Sequence, residues 1–172
     1  WERFPDVPTT PFHYALSEMV RLVRGLGGNQ LQDILDWLLT RAARIEELPQ
    51  TLVHGEYALT HVLAHRTAIV AVQGWENAVV ADPRYDVGYA SAILGAHSLM
   101  LSKVFVDYYQ EAAGPLPDLV FWEIFSALRL LARVRRTLTQ IGGERQEPFL
   151  MNIGPVWNGL LAFVESRTGM LL

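Results

Sequence analysis

The sequence predicts a mainly α-helical lobe that carries one small β-hairpin. Three observations lead there. Apolar residues recur at steps of three and four through most of the chain, the spacing of helices with one buried face. That spacing gives way once, between about residues 60 and 73, to short runs rich in β-branched residues. No other stretch carries enough such runs to build a core sheet.

The elements follow in order. Residues 1–11 hold Pro5, Pro8 and Pro11 and read as an extended lead-in. Residues 12–50 read as two helices. In the first, Tyr14, Leu16, Met19, Val20 and Val23 have helical spacing, and Gly25, Gly27 and Gly28 end it. Asn29 is the expected cap of the second, whose stripe is Leu31, Ile34, Leu35, Leu38, Leu39, Ala42 and Ile45, with Pro49 as its stop. His61–Ala64 and Ala68–Val72 read as a hairpin joined by His65-Arg66-Thr67. Asp82-Pro83 marks a loop. Helical spacing resumes at about Tyr85 and runs, with a break, to about Gln110. After Gly114-Pro115-Leu116-Pro117, Asp118 is the expected cap of a helix that runs to Ile141 and is stopped by Gly142-Gly143. A last helix is expected from Pro155 to Arg167. The chain is read as one unit over residues 1–172, with residues 51–88 as its irregular centre and residues 89–172 as C-terminal helices.

Composition bounds the possibilities. The 172 residues are 51% hydrophobic and only 19% charged, against about 25% charged in ordinary domains. Either the core is large or some surface is covered. Net charge is −4, which supplies no basic field for nucleic acid. There is no cysteine, so disulfides and thiolate metal sites are excluded and a cytoplasmic setting is expected. The chain opens on Trp1 without a signal-like segment, and reads as a piece of a longer protein. Val87–Ser102 has no charge, yet it is shorter than the roughly 20 residues of a membrane span. It contains Ser91, His97 and Ser98 and reads as a buried helix; no membrane partner is expected. The covered surface is expected around Trp1, Phe4 and Phe12 and around the hairpin, under a preceding lobe or a second copy.

One segment carries motifs in order. Between Leu52 and Gly88 lie His54-Gly55-Glu56, the strand start Val62-Leu63, Trp75-Glu76 and the turn Asp82-Pro83-Arg84-Tyr85-Asp86-Val87. This set resembles the active-site segment of the aminoglycoside phosphotransferase and choline kinase-like family. There the pattern is His-Gly-Asp, four residues, Asn, a hairpin, Ile-Asp-Trp/Phe-Glu, then Asp-Pro-x-x-Asp-Leu. The resemblance is close over these residues and loose over the whole chain. It implies the C-terminal lobe of a protein-kinase-like fold, a small-molecule hydroxyl acceptor, and ATP with Mg2+ as cofactors. It also implies a preceding lobe with a glycine-rich loop and a lysine, of which this sequence has nothing. Three positions depart from the pattern: Glu56 stands for the catalytic Asp, His61 for the metal-binding Asn, and Gly74 for the metal-binding Asp.

Phosphoryl transfer rests on positioning and on neutralising charge, chiefly through magnesium. As a base, Glu56 would keep the carboxylate but reach about 1.5 Å further, one carbon–carbon bond, and a misplacement of that size can cost roughly 100-fold in rate. Its other reading is a solvated loop residue. Magnesium takes oxygen ligands, whereas the His61 imidazole suits zinc, copper or nickel, and Gly74 offers no side chain. Glu76 is either a substitute ligand or a structural partner of backbone or arginine. His54, His61 and His65 lack a third ligand at clear spacing and read as a chance cluster. By the resemblance, Asp86 and His54 brace the loop. Arg129, Arg133 and Arg136 share a helix face, with Arg135 off it; they read as a solvated face or as an anion site. Three functions follow: a phosphotransferase lobe, inactive by itself; a pseudokinase-type binding lobe; and an interaction domain.

Overall fold

The computed structural model describes residues 7–141 and 146–172. In chain order its elements are α1 (Phe12–Leu26), α2 (Asn29–Ala42), β1 (Thr51–Val53), β2 (Val62–His65), β3 (Ala68–Val72), β4 (Val79–Ala81), α3 (Arg84–His97), α4 (Leu99–Ala113), α5 (Leu119–Gln140) and α6 (Gln146–Thr168). The mainly helical lobe with a small hairpin is what forms.

A helix segment that is buried on every side needs neighbours on every side. Helix α5 meets that condition: every residue from Phe121 to Leu128 is buried, and α1, α2, α3 and α6 all pack against it. Phe12, at the start of α1, lies in this core with its ring 5.4 Å from Phe121 and 5.3 Å from Trp122. It is therefore not part of an exposed apolar surface, and Trp1 and Phe4 lie outside the described residues. The uncharged run from Val87 divides: α3 is buried over most of its length, while Leu99, Met100 and Leu101 of α4 are exposed. The break is Ser98, extended at φ −165° and ψ 122°.

Several boundaries differ from expectation. Gly28 holds the N-cap position of α2, and Asn29 is its first helical residue. The helix stops at Ala42, well before Pro49, because the chain beyond it has other partners: the Glu46 carbonyl accepts from Arg84 and the Leu48 amide donates to Asp82. Strand β2 begins at Val62, and the hairpin turns through Arg66 and Thr67 alone, with Arg66 at φ 55°. Pro155 lies inside α6 rather than at its start. A helix-interior proline costs about 3 kcal/mol. Burial of Leu160, Phe163 and Val164 further along α6 offsets it, together with backbone contact so close that a Cβ on Gly159 would fall 2.0 Å from the Ala96 carbonyl oxygen. The pair β1–β4 has no counterpart in the sequence reading. It is antiparallel, Thr51 opposite Ala81 and Val53 opposite Val79. The lead-in joins it through Val80, which donates its N–H to Pro8 and accepts from Thr10.

Four helices meet at one buried carboxylate. Glu123 of α5 accepts from Ser91 of α3 at 2.5 Å and from Arg167 of α6 at 3.0 Å; Ser102 of α4 lies 2.7 Å from Ser91 and accepts from Arg167 at 3.1 Å. Burial pushes the Glu123 carboxyl above its usual range, and the bonds from Ser91 and Arg167 only partly counter it. A native carboxyl raised above its unfolded value binds protons more tightly than the unfolded chain. Its contribution is greatest at acid pH and is lost as pH rises through the raised value. We therefore expect the stability of Glu123→Gln relative to the parent to increase as pH rises from 4 to 8. Urea unfolding across that range is the check, and a constant or falling difference would contradict it.

Candidate functional site

The site is built outward from the turn between β4 and α3. Asp82 accepts the Arg84 amide and guanidinium, and both side chains are almost fully buried. That pair sets where α3 begins, and Asp86 follows in its first turn. Asp86 turns its carboxylate onto the loop after β1. One oxygen accepts the His54 N–H at 2.5 Å and the other the Gly55 N–H at 2.9 Å. Burial pushes the Asp86 carboxyl up, while the amides of His54, Gly55 and Tyr57 pull it down. Gly55 has φ +85°, and a Cβ there would fall 2.2 Å from the Asn77 carbonyl oxygen. Only glycine fits between the loop and the turn after the hairpin.

Glu56 comes next and is not solvated: its side chain is 15% exposed. It meets Arg133 at 2.5 Å and Arg129 at 3.5 Å. Arg129 also donates to the Gly55 carbonyl at 2.8 Å and lies over the rings of Tyr85 and Tyr89, 5.1 and 5.6 Å from their centroids. Burial raises both phenols, so each keeps its proton at neutral pH. Sequence reasoning placed these arginines on a solvated face by default. The missed signal was joint: Arg129 and Arg133 stand four apart on α5, Tyr85 and Tyr89 four apart on α3, and the loop carries one acidic residue.

The other expected residues divide. His54 is buried; its Nε2 lies 2.8 Å from the Gln73 carbonyl oxygen, and its Nδ1 accepts the Glu56 N–H at 3.3 Å. This assigns the Nε2–H tautomer and ties the loop to the end of the hairpin. His61 ends a short 3-10 turn, its ring 5.1 Å from that of His54. Glu76 is exposed on another such turn, because the strand ends at Val72 and does not carry it onto the face of Gly74. His65 is exposed at the end of β2.

These residues do not fit magnesium. Gly74 has φ +83°, and a Cβ there would fall 2.6 Å from His61 Nδ1. The imidazole already fills the space that a side chain at position 74 would need. That Nδ1 is buried and has no hydrogen-bond partner among the described residues. No group of three or more His, Asp or Glu among those residues is placed to hold a metal. Over Gly74 the structure packs the His61 ring, a nitrogen donor, and position 74 itself offers no side chain.

Beside the loop an open groove of about 570 Å3 runs between α1 and α5. Tyr14, Glu18 and Arg21 line one side; Phe125, Arg129 and Arg136 line the other, with Tyr85 between them. Arg129 thus touches both the groove and Glu56.

A double-mutant cycle tests the packing of His61 on Gly74. Left-handed strain costs about 1–2 kcal/mol, and overpacking about 1–3 kcal/mol. Gly74→Ala is expected to cost about 2 kcal/mol or more in the parent, and about 1 kcal/mol when His61→Ala has cleared the space. Equal costs in both backgrounds would show that the ring does not occupy it.

Comparison with known proteins bears on this geometry. A comparison with curated protein sequences found no match. A solved structure from Ralstonia eutropha JMP134, assigned as an aminoglycoside phosphotransferase, aligns with a TM-score of 0.65 at 17% identity, over 92% of this chain and 56% of that one. The apo form of a thermostable mutant of aminoglycoside phosphotransferase APH(4)-Ia aligns with a TM-score of 0.57 at 20% identity, over 82% of this chain and 45% of that one. The chain therefore spans about half the length of these solved relatives. The family model for phosphotransferase enzymes matches residues 3–140. The ordered motifs, the kinase-like helical lobe and that match together place the chain in the phosphotransferase enzyme family.

Proposed function

We propose that the chain is the acceptor-holding lobe of a small-molecule phosphotransferase, and that by itself it transfers no phosphate from ATP. One observation carries this reading. Asp86 holds the His54-Gly55-Glu56 loop, Arg129 pairs with Glu56 and the Gly55 carbonyl, and Arg129 also lines an open groove. A hydroxyl compound in that groove would meet Arg129, which ties the groove to the loop. Transfer is another matter. Glu56 is occupied by two guanidiniums, and the position that the family resemblance gives to a metal carboxylate is closed by His61. ATP and Mg2+ are therefore assigned to the longer protein. Incubating the chain with ATP, Mg2+ and a panel of hydroxyl compounds is expected to yield no phosphorylated product. Turnover that Glu56→Gln abolishes would overturn the proposal.

A second reading, a pseudokinase-type lobe that binds without transfer even in the longer protein, is favoured by the His61–Gly74 packing. That change removes an oxygen ligand rather than displacing it. No helix among the described residues is long and apolar enough to cross a membrane, and the same proposal gives the exposed apolar residues to a protein partner. The hairpin exposes Leu63, Ile69 and Val70, with Leu59 and Trp75 beside it. Contiguous apolar surface beyond a few hundred Å2 marks an interaction site. A preceding lobe or a second copy is expected to cover it. Sedimentation of the chain should show self-association that Ile69→Lys reduces; a clean monomer at high concentration would contradict this.

A further inference from the structure

The groove beside the loop has a charge that runs against that of the chain. The protein carries −4 overall. Arg21 and Glu18 in the groove pair with each other. Arg129, Arg133 and Arg136 share a face of α5, and the acid they meet is Glu56 alone, which pairs with the first two. Arg136 lines the groove with no acidic partner among the described residues. Of the three, Arg129 and Arg136 line the groove; with Arg129 paired to Glu56, Arg136 leaves a surplus of one positive charge on that wall of a concave site. Phenol donors reinforce it: Tyr14 and Tyr85 line the same space. The walls between are apolar, from Ala15, Met19, Leu22 and Phe125. Guanidiniums with neutral donors around an apolar floor recognise an anion carried on a small carbon skeleton, since charge-assisted bonds from arginine to carboxylate or phosphate are the strong ones.

We propose that this groove binds a hydroxyl compound bearing a carboxylate or phosphate group, its anion on Arg136 and Arg129 and its hydroxyl toward Glu56. The inference rests on the acceptor-lobe reading and names the substrate class of that site. A polycationic ligand is disfavoured there, because it would meet the uncompensated Arg136 guanidinium.

Ligand-observed saturation-transfer NMR on the 172-residue chain tests it at low salt, with glycerate, glycerol 3-phosphate, glycerol and choline as probes. At least one of the two anionic probes is expected to bind about tenfold or more tightly than glycerol and choline, a gap that matches one charge-assisted contact. Which anionic probe wins tells carboxylate from phosphate. Arg136→Gln is expected to weaken the anionic probe several-fold and to leave the thermal midpoint unchanged, because that side chain is exposed. Glycerol or choline binding as tightly as the anions would overturn the proposal and leave the acceptor-lobe reading standing. So would anion binding that Arg136→Gln does not change. Silence from all four probes would overturn both.

Discussion

The buried pair of Asp82 and Arg84 is the constraint on which the rest of the lobe depends. Both side chains are shut off from solvent, a costly placement unless every polar atom is matched. Here the matching is extensive. Arg84 donates to Asp82, to the Glu46 carbonyl and to the Pro117 carbonyl, while Asp82 also accepts the Leu48 and Arg84 amides. Three connections that are distant in sequence are thereby tied to one turn: the exit from α2, the start of α3 and the approach to α5. Removing either partner of a buried pair costs about 3–5 kcal/mol, because it strands the other charge. The pair also sets the rotation of α3, and so the direction in which Asp86 points. The loop of His54, Gly55 and Glu56 inherits its shape from that direction.

A scaffold that holds a loop can outlast the chemistry of the loop. Asp86 still gathers the His54 and Gly55 amides, and His54 still bridges to Gln73. Both bonds concern shape. His61 leans into the space over Gly74, so the two positions form a packed pair. A carboxylate at position 74 would need both the ring gone and a strained backbone accepted. Glu56 has partners of its own: its side chain reaches Arg133 on α5.

Much of this was legible in the sequence, and what was missed has a common cause. Helical stripes such as Leu31, Ile34, Leu35 and Leu38 are local patterns, and they lie buried where periodicity put them. The hairpin was legible for the same reason, since its strands are two residues apart. Strands β1 and β4 are three residues each and pair across the whole hairpin, so neither has a period to read nor a near partner. Proline favours the first turn of a helix, yet packing of Gly159 against Ala96 and burial of Phe163 hold α6 together with Pro155 in its interior. The ordered motifs placed Asp86 and Glu56 in the right loop. They could not place Arg129 and Arg133, which come from a helix more than seventy residues on. The joint signal lay in separate elements, Arg129 with Arg133 on α5 and Tyr85 with Tyr89 on α3, and nothing local joins either pair to Glu56.

The two arginines join the loop to the groove. Arg133 faces Glu56 with half of its side chain exposed, while Arg129 is largely enclosed between Glu56, the Gly55 carbonyl and two tyrosine rings. The Gly55 carbonyl and the two rings of α3 restrain Arg129, which still borders the groove. An anion in the groove would compete with Glu56 for the charge of Arg129, the one of the two that lines it. Binding of an anion and release of the Glu56 carboxylate are then one electrostatic event rather than two. The positive charge along α5 thus accounts both for the hold on Glu56 and for the class of ligand that would loosen it.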